Sequence, residues 1–295
     1  MLDFRVNTFL EVCRCMNFTK AAEQLNITQP AVSQHIHFLE NEYGVKLFDL
    51  EGKKIYLTRA GESLKTLLQQ MTNDTENLKK KIKTLDSGST KLSFGVTMTI
   101  GEYAIVPVLS RYLKSNPDTN IHIRYGNTTT LLKDLENGKI DFAIVEGYFP
   151  TEKYAVETFR TERFIAVCNK KHKFNKDVHK LSDLFSERLL VREIGSGTRN
   201  ILERNLALQN YAIADFLHYI EVENMHTIHE LLLADCGISF LYSIAVEKDL
   251  EKGILKEIEL EDFNMKHDFT FIWPKESIFS DKIRQICKSF RHFSA

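Results

Sequence analysis

FTKAAEQLNITQPAVSQHIHFLENEYGVKLFDLEGKKIYLTRAG, residues 18 to 61, decides the reading of this chain. Within it Val32, Ile36, Leu39 and Tyr43 are spaced 4, 3 and 4, which makes one apolar stripe on a helix that runs to about Asn41. Pro30, Ser33, Gln34, His37 and Asn41 fall on the other side. Their mostly neutral, hydrogen-bonding heads suit base edges in a major groove, and they equally suit a solvated face. Thr28 is placed to cap this helix, and Pro30 fits an early position where a missing N–H is no loss. Lys20 to Leu25 reads as a second short helix, with Thr19 as its cap, small Ala21 and Ala22 where helices cross, and a turn at Asn26 and Ile27. Two short helices about a tight turn make a helix-turn-helix. Downstream, LFDLEGKKIYLT reads as two strands about Glu51-Gly52-Lys53, a wing whose tip presents Lys53 and Lys54 to phosphates.

Outward from this stretch, Leu2, Val6, Phe9, Leu10 and Cys13 make the apolar face of a helix that precedes it. After it, Leu64, Leu68, Met71, Thr75, Leu78, Ile82 and Leu85 repeat at 4, 3, 4, 3, 4, 3, a heptad seam with one polar member. So narrow a stripe predicts a partner helix, and at 1.5 Å per residue the helix is roughly 40 Å long, enough to hold two DNA-binding heads apart. Lys79, Lys80, Lys81 and Lys83 near its end read as a solvated face that suits the helix dipole. Asp86-Ser87-Gly88-Ser89-Thr90 reads as a flexible linker.

The remainder changes character. Strand-like runs (Leu92 to Val96, Ile121 to Tyr125, Asp141 to Val145) alternate with helical ones (Tyr103 to Leu113, Thr130 to Leu135), the mark of βαβ units. A second set runs from Phe164 to Cys168 through Leu189 to Val191, Thr198 to Leu208, Phe216 to Glu221, His226 to Ala234 and Ile238 to Tyr242. The chain closes on Asp268 to Trp273 and a helix, Asp281 to His292. The expected fold is α/β overall: an N-terminal winged helix-turn-helix at 1–58, a dimerisation helix and hinge at 59–90, and a two-lobed domain at 91–295. Lobe I takes about 91–162 and 268–295, and lobe II about 163–267.

Composition narrows the rest. At 295 residues the chain is too long for one small core, and 43% hydrophobic with 27% charged residues is ordinary globular usage. A net charge of −1 gives no bulk attraction to a polyanion, so any nucleic-acid contact must be local. No long apolar run or leader-like N-terminus stands out, which predicts a cytoplasmic protein. Cys13, Cys15, Cys168, Cys236 and Cys287 are scattered, and they read as reduced thiols outside any metal site.

The quoted stretch resembles the DNA-binding arm of LysR-type transcriptional regulators. It carries the aromatic-Thr-x-Ala-Ala start, the Thr-Gln-Pro-Ala-Val-Ser helix opening, Leu-Glu at the helix end, Leu-Phe into the wing and Leu-Thr-x-Ala-Gly out of it. FGVTMTIGEYAIVP, RYGNTTTLLKDLENGKIDFAIVEG, REIGSGTR and Ala-Asp-Cys-Gly-Ile are similar to the family's effector-binding domain, which implies a periplasmic-binding-protein-like fold. The resemblance assigns Gln29, Pro30, Ser33 and Gln34 to the groove and implies an oligomer, usually a tetramer in the family. Two departures stand out: Leu50 follows Asp49, and Gln34 follows Ser33, where the family often has Arg at both places. DNA affinity should then lean on dimer geometry, helix N-termini and Lys53/Lys54. Thr19 and Thr28 either bond phosphates or cap helices.

In open α/β sheets ligands bind beyond the carboxyl ends of strands. Thr97, Thr99, Ile100 and Gly101 hold that position after one strand, and Gly195-Ser196-Gly197-Thr198 opens a helix after another. Two helix N-termini facing one cleft would cradle a small anion, with Asn127 and Thr128 on its wall. Thr99 and Thr198 have a capping reading too, and Arg199 meets either the ligand's charge or a neighbouring carboxylate. REIGSGTR resembles family members that regulate sulfur or carbon assimilation, which points to an inorganic oxyanion or small carboxylate as effector, with no cofactor. An enzyme reading finds no GxxxxGK[ST], GxSxG, HExxH or paired CxxC. His226 and His229 lie three apart, with Glu230 expected on a neighbouring helical face. A transporter's solute-binding protein suits residues 91 to 295 alone, and against redox sensing through Cys168 or Cys236 stands the expectation that both are buried in strands.

Overall fold

The computed structural model describes residues 3–52, 54–83 and 90–292. Contacts divide it into two compact units: one holds residues 1–87 with 136–138 and 276–279, and the other holds the rest. Those two short pieces depart from the single block expected for 91–295.

The first unit opens with α1 (Phe4–Cys15), α2 (Phe18–Leu25) and α3 (Gln29–Tyr43), followed by β1 (Phe48–Glu51) and β2 (Lys54–Leu57). The strands pair antiparallel, Phe48 opposite Leu57 and Glu51 opposite Lys54, and make the wing. The core gathers Phe9, Val12, Ala21, Ala22, Val32, Ile36, Leu39, Leu47 and Ile55, so the small alanines sit at the helix crossing as their size requires. Two local expectations need correction. Asn17 caps α2, its Oδ1 accepting from the Lys20 amide at 2.9 Å, while Thr19 lies inside the helix and is exposed. Asn17 alone holds the extended backbone that a cap needs. Tyr43 leaves the stripe, 48% exposed in the last turn before the αL Gly44.

α4 (Arg59–Lys83) follows, capped by Thr58, whose hydroxyl accepts from the Gly61 amide at 2.9 Å. Gly61 lies so close to the wing that a Cβ there would stand 2.2 Å from the Leu47 carbonyl oxygen. The seam of α4 divides in two. Leu68 is 4% exposed and Leu64 packs beside it, both against the first unit's own core, whereas Met71, Leu78 and Ile82 are 50%, 45% and 58% exposed. The expectation that Leu68 faces a second chain is corrected, because its own chain covers it, while Leu64 is only half-buried. Leu85 and the linker residues Asp86 to Ser89 lie outside the described residues, and Thr90 begins a strand.

The second unit contains β3 (Thr90–Val96), α5 (Ile105–Ser115), β4 (Thr119–Tyr125), α6 (Thr128–Glu136), β5 (Phe142–Val145), β6 (Tyr154–Asn169), β7 (Arg188–Arg192) and α7 (Gly197–Leu208). It continues through β8 (His218–Val222), α8 (Met225–Leu233), β9 (Ile238–Tyr242), α9 (Glu247–Glu251), β10 (Leu255–Ile258), β11 (Met265–Pro274) and α10 (Ser280–His292). One nine-stranded sheet runs β4-β3-β5-β11-β6-β9-β7-β8, with β10 added to β6. Parallel β3–β4, β3–β5, β7–β8 and β7–β9 pairs form the two lobes, and the long antiparallel strands β6 and β11 carry the chain between them. β6 begins at Tyr154, ten residues before the strand expected at Phe164, because its first half pairs with β11 in the first lobe.

Candidate functional site

On α3, Gln29, Pro30, Gln34 and His37 are exposed and Ser33 is half-buried, all away from the Val32–Ile36–Leu39 stripe. Thr28 caps the helix, its hydroxyl accepting from the Ala31 amide at 3.4 Å. Gln29 Nε2 donates to Ser33 Oγ at 2.9 Å, one turn on, which steadies the two side chains as one polar surface. His37 Nδ1 lies 3.3 Å from Glu40 Oε2. Lys54 is exposed at the start of β2, and Lys53 lies outside the described residues. Exposed neutral heads on a helix that stands clear of its core are what a major groove accepts.

Glu40 is the residue here that local spacing does not disclose. It is buried at the end of α3, where Oε1 accepts from the Leu47 amide at 2.9 Å and Oε2 from Lys46 Nζ at 2.8 Å. Burial pushes its carboxyl up, but the Lys46 ammonium and the amides of Leu47 and Phe48 prevail and hold it below the usual carboxylate value. Glu40 thus fastens the recognition helix to the chain entering the wing.

In the second unit the residues after β3 and those opening α7 come together, on a residue that sequence reasoning passed over. Glu146, directly after β5, is 1% exposed. Thr97 Oγ1 donates to its Oε2, and Thr198 Oγ1 at 3.0 Å and Thr99 Oγ1 at 3.3 Å donate to its Oε1. The hydroxyls of Thr99 and Thr198, one from each lobe, lie 3.4 Å apart. Neither threonine caps a helix by its side chain. Thr128 donates to the Glu146 carbonyl at 2.8 Å. Gly197 packs on the same backbone, where a Cβ would stand 2.3 Å from the Glu146 carbonyl oxygen. Desolvation raises the Glu146 carboxyl above its usual value, against the pull of the Thr97 and Thr198 hydroxyls, Arg192 and Thr99.

The remaining candidates sort by contact. Ile100 is buried and starts a π-helical turn, Ile100–Ala104, that leads into α5. The Gly101 amide donates to the Thr97 carbonyl at 2.9 Å and its face is covered by the Tyr125 ring, so this amide is not free for an anion. Asn127 Oδ1 accepts from the Thr130 amide at 2.9 Å, with its amide group beside Gly195. Ser196 is buried at the α7 cap. Arg199 belongs to neighbouring carboxylates: Nε donates to Glu203 at 2.7 Å and Nη1 to Glu221. The cation left over is Arg192, at the end of β7. It is 3% exposed, with Nε and Nη2 donating to Glu193 at 2.8 and 3.1 Å and with Nη1 buried and lacking any hydrogen-bond partner.

Elsewhere, His226, His229 and Glu230 bring ligand-type atoms within 4.8 Å of one another, so a neighbouring helical face does not keep Glu230 from the two histidines. His229 Nε2 is engaged by Asp249 at 2.7 Å. Cys168 is buried and desolvation pushes its thiol up to about 11, so it stays protonated and inert, whereas Cys236 is half-buried and not buried as expected. No helix among the described residues is long and apolar enough to cross a membrane.

A winged helix-turn-helix head joined to a two-lobed α/β domain defines a transcription regulator with a DNA-reading part and an effector-binding part. Residues 5–62 match the bacterial regulatory helix-turn-helix protein, lysR family, and residues 86–294 match the LysR substrate binding domain. The chain belongs to the LysR family, whose members are transcriptional regulators and not enzymes. It is 29% identical over 269 residues to the HTH-type transcriptional regulator CysL of Bacillus subtilis (strain 168), covering 90% of this chain and 89% of that protein. It is 27% identical over 280 residues to a probable RuBisCO transcriptional regulator of Thalassiosira pseudonana, covering 92% and 91%. Full-length LysG from Corynebacterium glutamicum with bound effector Arg shares the fold, at TM-score 0.65 and 16% identity over 100% of this chain and 98% of that one.

Proposed function

We propose that this regulator's DNA binding or activation is controlled by a small effector carrying an anionic group, bound between the two lobes at the Thr97, Thr99, Thr198 and Arg192 cluster. The buried, unpartnered Arg192 Nη1 is the observation that carries this reading. A guanidinium nitrogen cut off from water and from every acceptor is costly, and an anionic ligand group supplies what it lacks. Asn127, Thr128 and Ser196 line the same region, Ile100 and Gly101 support it from behind, and Arg199 holds β7 and α7 in place. An effector regulates only by binding two conformations unequally, and closure of the lobes offers two such states.

In the DNA-binding head, Gln29, Pro30, Ser33, Gln34 and His37 face the groove, with Thr19, Thr28, Lys53 and Lys54 toward phosphates. Met71, Leu78, Ile82 and Leu85 bring two chains together, so that paired heads span successive turns of the duplex, about 34 Å apart. Such a protein acts in the cytoplasm, as a dimer through α4 or as a tetramer.

The test uses the full chain on a genomic fragment selected for binding. Small carboxylates and oxyanions are screened for a rise in melting temperature and a changed footprint. Arg192→Met should abolish both responses to the ligand found; a ligand that keeps its affinity for that variant removes Arg192 from the site.

A further inference from the structure

Glu146 stands where an anion would be expected, and it decides what else the effector must carry. Resting on the effector site proposed above, we infer that the effector is a small zwitterion, an amino acid, whose ammonium group is received by Glu146 while its anionic group pairs with Arg192.

The argument is a count of protons. Each threonine hydroxyl has one proton to give, and those of Thr97, Thr99 and Thr198 are all given to the Glu146 carboxylate. What these hydroxyls offer outward is lone pairs, and we take Glu146 to meet the ligand as the carboxylate that accepts all three of their protons, which makes it an acceptor too. The wall built by these residues, which looks in sequence like a set of donors for an oxyanion, therefore asks for donors.

The cluster is closed, with Thr97, Thr99, Glu146 and Thr198 all buried. Glu146 follows β5 of the first lobe and Thr198 opens α7 of the second, so admitting a ligand between the lobes takes the Thr198 hydroxyl away from Oε1. The exposed oxygen must regain a donor. A ligand ammonium restores it with a charge-assisted bond, whereas an oxyanion brings a second negative charge against the first where water is scarce. Arg192 Nη1, on the second lobe and close enough to pull on the Glu146 carboxyl, makes the complementary demand for an acceptor. An amine alone leaves Arg192 unsatisfied and an inorganic anion alone leaves Glu146 repelled. A zwitterion meets both and carries no net charge into the interior.

The experiment measures binding to the full-length protein of the twenty common amino acids, each matched des-amino carboxylate, simple primary amines, sulfate and phosphate. Calorimetry and melting temperature report binding, and the wild type is compared with Glu146→Gln and Arg192→Met. The expected result is that one or a few amino acids bind and that their des-amino partners bind at least about tenfold more weakly, as loss of a charged hydrogen bond requires. Glu146→Gln should shrink that ratio by lowering amino-acid affinity while raising that of sulfate or the carboxylates. The inference is overturned if sulfate, phosphate or des-amino acids bind the wild type as well as any amino acid, if no amino acid binds, or if Glu146→Gln leaves the ratio unchanged. An anion lost on Arg192→Met but indifferent to Glu146→Gln would sink this inference and keep the site; a ligand indifferent to both variants would sink the site as well. The wild-type ratio alone remains decisive should a variant fold poorly.

Discussion

Glu40 in the first unit and Glu146 in the second are both buried, and their surroundings are opposite. Glu40 is met by a lysine ammonium and a backbone amide, and its carboxyl is held below the usual value. Glu146 is met by three neutral hydroxyls, with a guanidinium near but not bonded to it, and its carboxyl is raised. A buried charge with its counter-charge in place is a fastener. One held only by neutral dipoles keeps an unmet demand, and such a demand in a cleft is how a site for a ligand is recognised.

The largest break in this comparison comes from removing the fastener. Glu40→Ala leaves the Leu47 amide buried without an acceptor, and it should cost the DNA-binding head about 2–3 kcal/mol. The single tryptophan, Trp273, lies in the second unit, so its fluorescence should report a nearly unchanged urea transition while the helical circular dichroism signal of the head is lost earlier. Coincident transitions of wild-type midpoint would show that Glu40 is not what holds α3 to the wing.

A smaller effect tests the outward face of the same helix. Gln29→Ala should reduce discrimination among operator sequences by about 1–3 kcal/mol per base pair read, with weak nonspecific binding intact. Lys54→Ala should weaken all sequences alike and lower the salt slope by about one unit. Binding titrations at several salt concentrations separate the two. On α4, Ile82→Glu should shift the full chain toward single subunits in sedimentation without lowering the stability of the head, because Ile82 is exposed within its own chain.

The contrast between the glutamates also explains what the sequence could disclose. The faces of α3 follow from residues three and four apart, and Val32, Ile36 and Leu39 are buried as that spacing requires. The same rule overreaches on α4: a seven-residue repeat says that a stripe is apolar, not what covers it, and Leu68 is buried in the core of its own chain with Leu64 half-buried beside it. Thr97, Thr99 and Thr198 could be placed because strand ends and helix starts are local features. Glu146 could not, although it stands in the family-like stretch FAIVEG. Its meaning depends on Thr97, 49 residues before it, and Thr198, 52 residues after it, and no period links such positions. Asn17 and Thr19 show the same limit at short range, since both types cap helices and only the backbone angle chooses between them.

The finest test sets the two glutamates against each other by pH. For Glu40 the folded carboxyl lies below the ordinary 4.5, so its contribution to stability is present above that value and is lost as pH falls through the lowered one. Glu40→Gln should therefore be less stable than wild type at neutral pH, and the gap should close on acidification. For Glu146 the folded carboxyl lies above the ordinary 4.5, so its proton favours the folded state at low pH and that stability is lost as pH rises through the raised value. Glu146→Gln, which cannot ionise, should match wild type in acid and become the more stable of the two, by a few degrees at most, as pH rises. Melting curves of both variants across this range should diverge from wild type in opposite directions. If Glu146→Gln instead loses stability as pH rises, the Glu146 charge is already compensated within the protein, and the demand that would draw an ammonium group to it is absent.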